Sequence, residues 1–134
     1  MTWLLDTSVY SQLLRRKAVL PALERWQANG DEACRISAAT RAEVEWGLHF
    51  EGNPKRWKLY REQLRSRLEC LPTDEAVWSQ FSVIKARQRQ LGQVVSDLDM
   101  IIAATAIRHE LIVATLNTRD FSRIEGLRWE DWNE

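Results

Sequence analysis

The sequence predicts an α/β fold of three layers, α/β/α, around a short central parallel sheet. Three observations carry this reading. Short apolar runs recur at Trp3–Leu5, Ala33–Ile36, Glu69–Leu71 and Leu111–Ala114, each too short for a stable helix. Longer stretches with apolar residues every three or four positions separate them. Strands that alternate with helices in this way pair in parallel and carry helices on both faces.

The elements follow in order. Trp3–Leu5 ends on Asp6-Thr7-Ser8, a polar cap that stops a strand and opens a helix near Val9–Leu14. Pro21 suits the first turn of a second helix, with Leu20, Leu23 and Trp26 near helical spacing, and Asn29-Gly30 ends it. After the strand Ala33–Ile36, Ser37 opens a helix on which Val44 and Leu48 share one face, while Glu43 and Gly47 share another. Gly52-Asn53-Pro54 breaks the chain. Pro54 then starts a long helix whose stripe is Trp57, Tyr60, Leu64 and Leu68. Pro72 stops the strand Glu69–Leu71, and Thr73-Asp74-Glu75 starts a helix continued by Val77, Phe81, Ile84 and Leu91 up to Gly92. Gln93–Val95 is a loop. Ser96–Asp99 opens a helix, Met100–His109, that is apolar nearly all round and is expected to be buried. Leu111–Ala114 is the next strand, ended by Thr115-Leu116-Asn117, and a tail strand is expected at Leu127–Trp129.

A chain of 134 residues fits one domain, 1–134, and can bury roughly 68% of its unfolded surface without staples. With 19 basic and 19 acidic residues the net charge is zero, which argues against a broad basic surface for duplex binding. Positive charge is local instead: Arg15-Arg16-Lys17 is one cluster, and Lys55, Arg56, Lys58, Arg61, Arg65 and Arg67 make another. The seven Trp residues read chiefly as packing area. Cys34 and Cys70 sit in apolar strands and read as small buried hydrophobes, suited to a reducing cytoplasm. With His49 and His109 they lack the paired spacing of a zinc site. Asp6 interrupts the apolar start, so no signal peptide is expected, and no run approaches the roughly 20 apolar residues that span a membrane.

Ligands of open parallel sheets bind beyond the carboxyl ends of the strands. Acids gather at such positions here. Asp6 closes the first strand, Glu43 lies on the helix after the second, Asp97 and Asp99 open the buried helix, and Asn117 and Asp120 follow the strand at Leu111–Ala114. Acids that converge repel one another. A divalent cation is the simplest compensation, and an all-oxygen set suits Mg2+ or Mn2+. Each acid also has an ordinary role open to it: Asp6 as a helix cap, Asp97 and Asp99 at a helix dipole, Glu43 in solvent, and Asp120 in a turn.

The order of the pieces resembles the PIN-domain family, and within it the VapC-type toxins of VapBC toxin–antitoxin pairs. Leu5-Asp6-Thr7-Ser8 is similar to the opening signature. Ile36 to Gly47, with Glu43 at the acid position, resembles the second block, and Asp99 to Ala106 the third. Ala114-Thr115-Leu116-Asn117-Thr118-Arg119-Asp120-Phe121 resembles the fourth, and Ile124–Leu127 with Glu130-Asp131-Trp132 is similar to common endings. The resemblance covers essentially the whole chain. It implies a PIN-like fold with Asp6, Glu43 and Asp99 as metal ligands. Where many members carry an acid, this chain has Asn117, with Asp120 three residues on. The resemblance then favours Asp120 as fourth ligand with Asn117 assisting. Thr7, Ser8 and Thr115 would orient carboxylates or water, and Asp97 could reach the metal through water.

The implied activity is Mg2+- or Mn2+-dependent endonucleolytic cleavage of single-stranded or loop segments in a structured RNA of translation, tRNA or rRNA. The implied partners are a VapB-type antitoxin, seated in a groove near the early helices with a basic side chain among the acids, and a second copy of the chain. The apolar stripes around Trp46, Trp57 and Tyr60 are candidates for either face. Two other phosphoryl-transfer folds fit poorly. A dehalogenase-like phosphatase wants an Asp where Ser8 stands, and a receiver domain wants paired acids before Asp6. A catalytically inactive PIN module that binds RNA or a protein is the alternative outside enzymes, and the retention of Asp6, Glu43 and Asp99 argues against it.

Overall fold

The computed structural model describes all residues, 1–134. Its strands are β1 (Trp3–Leu5), β2 (Cys34–Ser37), β3 (Glu69–Leu71), β4 (Ile112–Thr115) and β5 (Trp129–Asp131). Its helices are α1 (Thr7–Tyr10), α2 (Leu20–Asn29), α3 (Ala38–Glu51), α4 (Pro54–Gln63), α5 (Glu75–Gln90), α6 (Asp97–Arg108) and α7 (Thr118–Phe121), with a 3-10 turn at Ser11–Leu14. The sheet runs β3-β2-β1-β4-β5, and every neighbouring pair is parallel. The α/β/α reading of the sequence holds.

The strand order fixes where a ligand can sit. From β1 the chain steps outward to β2 and β3, then returns to lie on the other side of β1 as β4. The order therefore reverses between β1 and β4. At such a switch point the connections leave in opposite directions and open a crevice beyond the strand ends.

Side chains alternate across the sheet and separate two cores. Trp3 and Leu5 enter one, with Ile36, Val9, Tyr10, Trp26, Tyr60 and Trp132. Leu4 and Val113 enter the other, with Val77, Ile84, Ile102, Ala103 and Phe121. Helix α3 joins both, Val44 and Leu48 packing in the first and Ala39 in the second. Every residue from Met100 to Ala106 is buried, because α6 lies against the sheet and is covered by α3 and α5. No helix is long and apolar enough to cross a membrane.

Helix starts follow the polar residues that mark them. The side chains of Asp6, Ser37, Asp74 and Ser96 each accept a bond from a backbone N–H of the first turn. Other boundaries differ from expectation. The helix from Pro54 ends at Gln63, not near Leu68. Leu64 leaves helical geometry while Arg65 N–H returns to Tyr60 O, and Tyr10 Oη donates to Leu64 O at 3.1 Å. Leu64 and Leu68 still reach the core, from an irregular segment. The tail strand lies two residues later than expected, at Trp129–Asp131, because Trp132 N–H bonds Thr115 O and sets the register against β4. Cys34 is buried as expected, but Cys70 is only half-buried on the edge strand β3.

The seven Trp residues divide between interior and surface. Trp3, Trp26 and Trp132 are buried, Trp57 is half-buried, and Trp46, Trp78 and Trp129 reach solvent. Tyr60 is fully buried and so leaves the set of candidate docking residues, whereas Trp46 stacks on the exposed Phe50. Trp132 meets Trp3 edge-on at 5.3 Å and locks the chain's end into the first core. We expect Trp132→Ala to cost about 3–5 kcal/mol in urea unfolding. A loss below about 1 kcal/mol would show that the tail is dispensable to the core.

Candidate metal centre

The β1–β4 register aligns Leu5 with Ala114, so the next residues, Asp6 and Thr115, stand side by side at the carboxyl edge. Asp6 N–H continues the ladder to Ala114 O at 3.0 Å. The Asp6 side chain is buried and held from three directions. Oδ1 accepts from Val9 N–H at 3.0 Å and Ser8 Oγ at 2.6 Å, and Oδ2 accepts from Thr115 Oγ1 at 2.5 Å. Ser8 Oγ also accepts from Leu116 N–H at 3.0 Å, and Thr115 Oγ1 from Asn117 N–H at 2.7 Å. These bonds tie the end of β4 to the start of α1.

The remaining acids come from three other elements. Thr7 Oγ1 donates to Glu43 Oε1 at 2.5 Å, linking α1 to the second turn of α3. Asp99 sits in the first turn of α6, its backbone N–H capped by Ser96 Oγ at 3.2 Å. Asn117 Nδ2 bonds Asp120 Oδ2 at 3.1 Å and reaches Asp99 Oδ2 at 3.4 Å. Asp6, Glu43, Asp99 and Asp120, distant in sequence, are thus all directed to the switch point, with Thr7, Ser8, Thr115 and Asn117 between them.

Their electrostatics are those of uncompensated charge. None of the seven ion pairs involves any of the four acids. Burial pushes the Asp6 carboxyl up to about 6, with Glu43 adding repulsion against the opposing pull of the Ser8, Thr115 and Val9 bonds. Asp99 also rises to about 6, through burial first, then the charges of Glu43 and Asp6, and less from Asp120. As the side chains lie, no three acids stand close enough to encircle an ion. The donor set nevertheless suits a hard divalent cation, being all oxygen with no basic side chain to neutralise it. Asp6 Oδ2 has one acceptor position spare, and Glu43 Oε2 and Asp120 Oδ1 accept no bond from the protein.

The PIN domain profile matches residues 3–127. The chain belongs to the PIN-domain family. It is 32% identical over 133 residues to the tRNA(fMet)-specific endonuclease VapC of Shigella flexneri, covering 99% of each chain. Among solved structures it resembles DNA-bound VapBC from Salmonella typhimurium, with TM-score 0.84 at 30% identity over 98% of each chain. It also resembles FitAB bound to a DNA fragment, with TM-score 0.87 at 29% identity over 99% of this chain and 96% of that one. The VapC-type resemblance of the sequence is thereby met.

One residue of the sequence reading falls away from this PIN domain's acidic crevice. Asp97 pairs with Lys85 Nζ at 3.0 Å. Two positions on a helix are separated by about 200°, so Asp97 and Asp99 point to opposite sides of α6. Two contributors were missed. Ser96, in the sequence only the start of a helix, sets the turn that presents Asp99. Gln12, buried in the 3-10 turn, donates to Ser8 O at 2.7 Å and accepts from Val19 N–H at 2.8 Å. Its one signal in the sequence was a long polar residue four positions after Ser8 in an otherwise apolar turn.

The raised carboxyls have a consequence for stability. An acid raised by folding favours the fold while protonated. Its contribution is full below about pH 4 and is lost as pH rises through about 6. For the buried Asp6 the loss is about 3 kcal/mol in the metal-free chain. We therefore expect Asp99→Asn, in EDTA at pH 7.5, to melt roughly 3–6 °C above the parent, with the gain closing below pH 5. An Asp99→Asn chain that melts lower at pH 7.5 would contradict the repulsion.

Proposed function

We propose that this chain is the toxin of a type II toxin–antitoxin pair: an Mg2+- or Mn2+-dependent endoribonuclease that hydrolyses a phosphodiester in a structured RNA of translation, tRNA or rRNA. The observation that carries the proposal is the convergence of Asp6, Glu43, Asp99 and Asp120, without a basic partner, on the crevice between β1 and β4. The names of the relatives support the same reading. Shigella flexneri VapC is a tRNA(fMet)-specific endonuclease, and the Haemophilus influenzae relative at 31% identity is Ribonuclease VapC2.

In this reading Asp6, Glu43 and Asp99 hold the cation and Asp120 is the fourth ligand. Thr115 and Ser8 fix the Asp6 oxygens, Thr7 turns Glu43 inward, and Asn117 spans Asp99 and Asp120. A bound divalent cation would supply electrophilic stabilisation of the charge that builds on the phosphodiester. Glu43 Oε2, Asp99 Oδ1 and Asp120 Oδ1 accept no bond from the protein, and each is able to take a proton from the attacking water. The partner is a VapB-type antitoxin that covers the crevice, and the chain works as a cytoplasmic homodimer. Solved VapBC and FitAB complexes of the same fold support the antitoxin.

We expect RNA cleavage that requires Mg2+ or Mn2+ and stops with EDTA. Asp6→Asn should lower kcat/KM by about 10^3 or more, with circular dichroism unchanged. Cleavage that persists in EDTA, or full activity in Asp6→Asn, would contradict the mechanism.

A further inference from the structure

Beside the acidic crevice lies an open groove of about 550 Å3, bounded by the Ser11–Lys17 segment on one side and α3 on the other. Thr7 and Glu43 line it, so it opens directly onto the proposed metal centre. Its outer lip is Arg15, Arg16 and Lys17. All three side chains are exposed, and none makes a hydrogen bond or ion pair within the protein.

The loop that carries these cations is braced. Gln12 joins the backbone of Ser8 to that of Val19, on either side of the loop. Arg56 Nη2 donates to Leu14 O at 2.7 Å, just before it, while Arg56 Nη1 pairs with Glu51 at 3.1 Å. Two further polar atoms of the lining, Ser11 Oγ and Arg56 Nε, have no partner in the protein. With Glu51 matched to Arg56, three cations face the single carboxylate Glu43 across the groove.

A polyanion that approaches four acids is repelled unless cations nearby offset the acids. The chain has no net charge to supply this, so the offset must be local. We propose that this groove is a channel for the sugar–phosphate backbone of single-stranded RNA on one side of the scissile bond. Arg15, Arg16 and Lys17 grip successive phosphates and guide the strand to Glu43. Guanidinium groups suit phosphate oxygens through paired donors, and the braced loop reduces the ordering cost of binding. The channel deepens the ribonuclease reading above and rests on it for its direction.

The test measures binding of a fluorescein-labelled, mixed-sequence single-stranded RNA 20-mer to the Asp99→Asn chain across a salt series. Adding Arg15→Ala, Arg16→Ala and Lys17→Ala should weaken binding on the order of tenfold to a hundredfold. The slope of log affinity against log salt should fall by about 2, since each phosphate contact on a single strand contributes about 0.7. Arg15→Lys with Arg16→Lys should keep most of the slope, because the charge stays. In the otherwise unaltered chain, the triple substitution should lower kcat/KM through KM. Unchanged RNA affinity and slope in the triple variant would overturn the channel. So would weakened binding of a ten-residue oligoglutamate with RNA binding intact, which would give the groove to an acidic peptide. The two readings fail separately. A chain that cuts RNA equally well without the three cations keeps the nuclease and loses the channel, whereas one that grips RNA through them yet never cuts it does the reverse.

Discussion

The Asp6 carboxylate is where the two halves of the sheet, the first helix and the acidic crevice are joined. Its backbone extends the pairing of β1 with β4, and its side chain caps α1. Thr115 and Ser8 fix its two oxygens from opposite sides. The cap and the site are one arrangement. Because Asp6 starts α1 where it does, Thr7 faces α3 and meets Glu43. Because Thr115 is engaged by Asp6, it accepts from Asn117 and begins the turn that brings Asn117 toward Asp99 and Asp120. The remaining acids are therefore placed by consequences of one buried carboxylate.

Such a centre opposes the stability of the chain that contains it. Natural domains are stable by only about 5–15 kcal/mol, so a buried carboxyl raised to about 6 is a sizeable fraction of the total. The two cores that flank the sheet offset it. Leu4, Leu5, Ile36 and Val113 sit directly behind the crevice and are almost wholly removed from water. The rigid interior keeps the acids together against their repulsion, the arrangement expected where function requires locally unfavourable electrostatics.

Most of this was legible in the sequence, for identifiable reasons. Period and capping marked the elements, because Asp6, Ser37, Asp74 and Ser96 are residues whose side chains satisfy the free N–H groups of a helix start. Strand ends located the acids, because a parallel sheet presents its ligand crevice there. Tertiary competition was not legible. Leu64 and Leu68 continue a helical stripe in the sequence, but the Tyr10 hydroxyl caps Leu64 O and the helix stops. Asp97 and Asp99 look equivalent in a linear reading, but their offset of about 200° around α6 separates them, and Lys85 on a neighbouring helix holds Asp97 away. The tail register was hidden because it depends on Trp132 pairing with Thr115, 17 residues earlier in the chain. Phe50 stands four residues after Trp46 on the same helix, a spacing that puts the two rings on one face, but only the structure shows that this face is exposed.

Whether four acids from separate elements share one cation can be read by anomalous diffraction from crystals soaked in Mn2+. A peak bounded by the Asp6 and Asp99 carboxylates is expected, with metal–oxygen distances of roughly 2 Å, as for a small hard divalent ion. Manganese bound elsewhere, with Asp6 still engaged only by Thr115, Ser8 and Val9, would contradict it.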